Sequence, residues 1–134
     1  MNLLNEFKRH LLEGRFFNNQ DRLLVAVSTG VDSMVLIDLL QRLPKSQRPF
    51  IMVAHVNHHL RAQSTQEESF IREYCLDHDL PVMIHQWQPD QHPQTGIEAA
   101  ARAMRYHFFA QVMGDQRLTR LVTAHHGDDL AETM

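Results

Sequence analysis

Several clusters in this 134-residue chain have the residue types and spacing that phosphate chemistry needs. The first is Ser28-Thr29-Gly30-Val31-Asp32-Ser33, small and hydroxyl-bearing residues between an apolar run and a helical pattern. A loop of this kind offers backbone N–H groups and hydroxyls at the positive end of a helix, which hold a phosphate without a cationic side chain. Ser28, Gly30 and Ser33 are the expected cradle. The loop lacks the four-residue glycine spacing and Lys-Ser/Thr of a Walker loop, and it lacks the three spaced glycines of a dinucleotide fingerprint. The plain alternative is that small residues simply make the turn.

Asn57, His58 and His59 form a second cluster, inside the stretch Ala54 to Arg61. Asn57 and His58 are candidate substrate contacts, and the competing reading is that strand-end histidines cap backbone groups. Arg102 and Arg105 are solvated helix charges or, beside a phosphate, stabilisers of developing charge. The last cluster is His125, His126, Asp128 and Asp129, whose imidazoles and carboxylates suit zinc, manganese or magnesium. The preferred role is Asp128 or Asp129 holding Mg2+ against phosphates. The alternative is a solvated helix start with aspartates favouring the dipole.

The pattern of apolar residues shows which elements must position these groups. Leu23 to Val27 reads as a strand buried on both faces, and Val35, Leu36, Leu39, Leu40 and Leu43 recur at helical spacing after it. Phe50 to Val56, Pro81 to His85 and Leu121 to Ala124 read as further strands. Ser64-x-x-Glu67 and Thr95-x-x-Glu98 read as capping boxes. The first opens a helix with Phe70, Ile71, Tyr74 and Cys75 inward. The second opens one with Ile97, Ala101, Met104, Phe108 and Val112 on one face, ending at Gly114. A packing helix is expected over Asn2 to Glu13, and another beginning in His125 to Met134. Strands alternating with helices imply an α/β fold, an open and mostly parallel sheet with helices on both faces. The three strand-end clusters then share one rim, where such sheets bind ligands.

Composition bounds the partners. With 43% hydrophobic residues the chain can bury a substantial core. A formal charge of −3 with 22% charged residues leaves no basic excess for wide nucleic-acid contact. One cysteine, Cys75, forms no internal disulfide, and no signal segment or membrane span is read, so a cytoplasmic protein without membrane partners is expected.

The loop is one residue from Ser-Gly-Gly-x-Asp-Ser, and here the sequence resembles the PP-loop ATPases, which hold the pyrophosphate of ATP with that loop. Within them, VAVSTGVDSMVL, AHVNHHLR, GIEAAARAMRY and TAHHGDDLAET resemble the N-terminal catalytic domain of the tRNA(Ile)-lysidine synthetases, in the same order. The absence of Cys-x-x-Cys argues against the thiolating PP-loop enzymes. Leu130 stands where the family usually has glutamine, and Thr29 where it has glycine.

The resemblance implies that residues 1–134 are an N-terminal ATP-binding catalytic domain, cut short and without the C-terminal domains that grip tRNA. It implies ATP and Mg2+, and the ligation of L-lysine to C2 of the wobble cytidine of tRNA(Ile) with a CAU anticodon, through an adenylated tRNA, giving lysidine. Ser28, Thr29, Gly30, Val31, Asp32 and Ser33 would bind ATP; Asp32, Arg105 and Asp129 would be catalytic. Asn57, His58, Arg102 and His125 would contact substrate, and Asp32, Asp128 and Asp129 would hold metal. Whether two copies form a homodimer stays open. Another nucleotide-adenylating PP-loop ligase, a metal-dependent phosphohydrolase and a non-catalytic ATP-binding module are the rival readings. At position 29 a β-branched residue forced to positive φ would store strain, so Thr29→Gly is expected to strengthen ATP binding by about 1 kcal/mol.

Overall fold

A computed structural model describes residues 19–123 and the backbone of 131–133. Strand β1 (Arg22–Ala26) is central, and its Leu23, Leu24 and Val25 are wholly buried because both faces of the sheet are covered. The chain continues through α1 (Val31–Gln41), β2 (Phe50–Asn57), α2 (Ser64–Asp77), β3 (Val82–Gln86), a short 3-10 turn (Pro89–Gln91), α3 (Ile97–Gln116), β4 (Arg120–Thr123) and β5 (Ala131–Thr133). The sheet order is β3-β2-β1-β4-β5, parallel except for the β4–β5 pair.

Alternation along the strands divides the core into two layers. Leu23, Val25, Ile51, Val53 and Val122 pack against Leu36, Ile37 and Leu40 of α1 and Ile71 and Cys75 of α2. Leu24, Met52, Ala54 and Leu121 face Ala101, Phe108, Phe109, Val112 and Met113 of α3. The reversal of strand order explains this: β1 to β2 to β3 steps one way, β3 to β4 steps back past β1, and right-handed crossovers then put α3 on the opposite face. A crevice opens at such a switch point, beyond the carboxyl end of β1.

Several local expectations are corrected. Neither capping box forms. Ser64 lies inside α2, where its Oγ accepts from the Arg61 N–H (3.4 Å), and Glu67 pairs with the Arg61 guanidinium (2.6 Å) instead of reaching back to a cap. At α3 the cap is Gly96, in the left-handed region at φ 68, so the helix starts too late for Thr95 to cap it. Helix α3 also runs through Gly114. It ends at Arg117, φ 55, where the Leu118 N–H closes the last turn on Met113 O (2.9 Å) and Leu118 enters the core. Phe70, expected inward, is 49% exposed; Ile71 and Cys75 take the buried positions. Residues 131–133, expected in a helix, pair antiparallel with β4, which would otherwise be an open sheet edge. The helix expected over Asn2 to Glu13 lies outside the described residues.

Candidate anion-binding trough at the carboxyl ends of the strands

Beyond β1, the Val27 N–H still bonds Ala54 O (2.9 Å), and the chain then turns over the start of α1. The Ser28 N–H donates to Ser33 Oγ (2.7 Å), and the Gly30 N–H donates to Ser28 Oγ (3.2 Å). These two bonds shape the loop from within. The amides of Val31, Asp32 and Ser33 are the first of α1 and have no intrahelical acceptor, and they sit at the positive end of the helix dipole. Gly30 has an ordinary φ of −62, but a Cβ there would stand 3.3 Å from Ser28 Oγ, so glycine keeps the loop tight. Positive φ among the described non-glycine residues occurs at His59, Asp79 and Arg117 only. Thr29 is therefore unstrained, and the premise for its impairment falls. Ser33, expected in the cradle, is buried, and its Oγ staples the loop. Val31 and Asp32 are exposed.

At the end of β2 the polar residues divide between scaffold and surface. His55 is buried, and its Nδ1 meets Val27 O at 2.8 Å. A carbonyl only accepts, so Nδ1 carries the proton and Nε2 is an acceptor. That Nε2, like Thr123 Oγ1 at the end of β4, is buried without a partner among the described residues. Asn57 is 2% exposed and bonded at both ends of its amide: Nδ2 donates to Glu68 Oε1 (3.0 Å) and Oδ1 accepts from the His59 N–H (3.0 Å). His59 Nε2 donates to Gln86 Oε1 (2.6 Å), and Gln86 Nε2 donates to the same Glu68 oxygen (2.6 Å). This ring of bonds fixes His59 at its φ of 54. Burial pushes the Glu68 carboxyl up, but the bonds from Asn57, Gln86 and Arg72 outweigh it and leave the group below the usual carboxylate range. Asn57 and His59 thus hold the turn through side-chain bonds, and the histidine of β2 that caps a backbone group is His55.

His58 faces the other way. Its Nε2 lies 3.5 Å from Arg105 Nη1, and burial, followed by the charge of Arg105, lowers its imidazole from 6.5 to about 4. Arg105 is half-buried and has no carboxylate partner among the described residues, whereas Arg42, Arg61, Arg72 and Arg120 each have one. Desolvation lowers its own pKa. A cation held this way is costly unless an anion joins it.

The space beside it is continuous. A cavity of about 320 Å³ touches Ser28, Ser33, His55 and Thr123, and one of about 750 Å³ opens between the starts of α2 and α3 against Glu67, Glu98 and Arg102. His55, His58, Arg61, Glu67 and Arg105 line both, making one trough. Of the expected site residues, the structure brings Ser28, Ser33, Asn57, His58, Arg102 and Arg105 onto its walls. Arg102 stands at the outer end, over the Tyr106 ring at 5.3 Å. His125, Asp128 and Asp129 lie outside the described residues. No group of three or more His, Cys, Asp or Glu among the described residues could hold a metal. Asp32, alone in the first turn of α1, suits a cation shared with phosphate oxygens. Glu67 reads from the sequence only as part of a capping box, and Thr123 and His92 give no signal there as site residues; for His92 the reason is that the carbonyl it holds lies 34 positions away in the chain.

Sheet order, loop and trough define a nucleotide-binding α/β domain, and residues 2–134 match the family described as a PP-loop domain, to which the chain belongs. It is 50% identical over 133 residues to the tRNA(Ile)-lysidine synthase of Lactiplantibacillus plantarum, covering 99% of this chain and 30% of that one. The enzymes of the same name from Enterococcus faecalis (40% over 129 residues; 96% and 28%) and Petrotoga mobilis (32% over 139 residues; 98% and 45%) are also similar. The chain thus spans about 30% of the length of the first of these curated relatives. The solved U34-tRNA thiolase NcsA of Methanococcus maripaludis superposes with a TM-score of 0.71 at 16% identity, covering 91% of this chain and 44% of that one, a likeness of fold. No helix among the described residues is long and apolar enough to cross a membrane.

Proposed function

We propose that this chain binds ATP in the trough and transfers its adenylyl group to the wobble cytidine of tRNA(Ile) with a CAU anticodon, the amine of L-lysine then displacing AMP to give lysidine. The observation that carries this reading is the Arg105 guanidinium, without a carboxylate partner among the described residues and set in a cavity that also touches the phosphate loop. The name shared by the relatives supports the choice of nucleic acid and amino acid.

In the first step the C2 oxygen of the cytidine attacks the α-phosphorus and the bond to pyrophosphate breaks. The amides of Val31, Asp32 and Ser33 hold the departing pyrophosphate, and Arg105 meets the charge that develops at the α-phosphate. Their positions are set before ligand arrives, by the Ser28–Ser33 staple for the loop and by His58 for Arg105. In the second step the lysine nitrogen bonds C2, the C2–O bond breaks and AMP leaves. Glu98, exposed on the larger cavity, binds the incoming ammonium or takes its proton. Mg2+ with Asp32, Asp128 or Asp129 would supply further neutralisation of phosphate charge. A cytoplasmic setting, where tRNA and ATP are found, belongs to the same reading.

The test is AMP release from ATP labelled at the α-phosphate, with and without tRNA(Ile) and L-lysine. Release that needs both is expected. Hydrolysis of phosphoesters indifferent to lysine would overturn the proposal in favour of a phosphohydrolase.

A further inference from the structure

We infer that His92 is a positioning residue for Arg105: it clamps the loop that carries His58, and His58 in turn holds the guanidinium in the trough. The inference rests on ATP being the ligand of the trough. His92 Nε2 donates to two carbonyls, His58 O (2.8 Å) and Trp87 O (3.1 Å). Those carbonyls lie just past the ends of β2 and β3, so a single imidazole ties together the two crossovers beside the larger cavity. The clamp is itself held by aromatic packing. Trp87 is buried, its ring centroid is 4.3 Å from that of His92, and it makes a T-shaped contact with the His58 ring, centroids 6.1 Å apart at 86°.

The last link is the 3.5 Å contact between Arg105 Nη1 and His58 Nε2. A guanidinium only donates, so His58 accepts at Nε2 and carries its proton on Nδ1. Its lowered pKa, from burial and from Arg105, keeps that neutral form near pH 7. The fold has little other use for this chain of contacts: His58 and His92 are only partly buried, and the Trp87 N–H is already tied to Asn57 O (2.9 Å). Without His92 the His58 carbonyl loses this donor, and the backbone that carries the imidazole is held less firmly. Arg105, having no carboxylate partner among the described residues, then samples many rotamers, and ligand binding must order it.

The test compares parent, His92→Ala, His92→Gln, Arg105→Ala and the His92→Ala/Arg105→Ala double variant of the full chain, by calorimetric titration with ATP and Mg2+. Loss of the clamp should weaken binding by about threefold to tenfold, the cost of one immobilised long side chain. The glutamine variant, which retains an N–H near the position of Nε2, should recover most of that loss. The double variant should bind no more weakly than Arg105→Ala alone. Losses that multiply in the double variant, or parent-like binding by His92→Ala, would sink the clamp while leaving ATP binding intact. If the parent itself binds no ATP, the functional reading fails, and the clamp is judged by the 15N signals of His58. Those signals should show the Nδ1–H form in the parent and averaged tautomers in His92→Ala; an unchanged form would refute it.

Discussion

Replacing Arg105 with alanine separates ligand binding from fold stability with unusual clarity. The guanidinium has no carboxylate partner among the described residues, and its one polar contact is the long 3.5 Å approach to His58. Its removal therefore breaks no ion pair among the described residues. What is lost is the packing of the side-chain methylenes, offset by relief of a half-buried charge without a carboxylate among the described residues, so unfolding free energy should change by no more than about 1 kcal/mol. Binding should respond differently. A hydrogen bond to a charged phosphate is worth about 1.5–3 kcal/mol, which corresponds to about 10- to 150-fold weaker affinity for ATP. Urea unfolding and calorimetric titration with ATP and Mg2+, on parent and variant, give both quantities. A third readout is the His58 imidazole, which should titrate above its present value of about 4 once the neighbouring charge is gone, yet below 6.5 because burial is the larger cause. Unchanged ATP affinity would refute the role of Arg105, and a loss of stability beyond about 2 kcal/mol would show that it belongs to the scaffold.

Other outcomes follow from the same geometry. Thr29→Gly relieves no strain, since Thr29 is outside the positive-φ region; it should cost about 0.5–1 kcal/mol of stability in urea and leave ATP affinity no stronger. Asn57→Ala removes a donor from Glu68 and an acceptor from the His59 N–H, and should destabilise by about 1–3 kcal/mol on denaturant unfolding. Stability should fall as pH drops from about 6.5 towards 4, because over that window the unfolded chain binds a proton that folded His58 refuses, and His58→Gln should flatten the profile. A profile unchanged by that substitution would place the titration elsewhere.

Much of the architecture is legible in the chain itself because periodicity is local. The apolar run of β1, the recurrence of Leu36 and Leu40, and the return to strand at Phe50 are enforced by burial on both faces of a parallel sheet. The capping boxes misled because a cap is decided by where the preceding chain enters. Arg61 draws Glu67 away from the start of α2, and Gly96 sets the start of α3. Phe70 misled because a helical pattern leaves the width of the buried face open, and α2 buries only Ile71 and Cys75 fully among its apolar residues.

The sequence by itself determined the chemical inventory of the site: a small-residue loop before a helix, polar residues at the strand ends, and arginines on α3. Each of those rests on residues adjacent in the chain, where spacing is enough. Tertiary structure alone decided what each group is free to do. Ser33 and Asn57 are the right types for ligand contact, yet hydrogen bonds within the fold use them as scaffold. Arg105 resembles any helix arginine until its surroundings show a desolvated cation without a carboxylate partner among the described residues. His92 becomes relevant only when β2 and β3 lie side by side, 34 positions separating it from the carbonyl it holds. The physical reason is that availability depends on partners from distant segments, and those are assigned only when the strands take their places around β1.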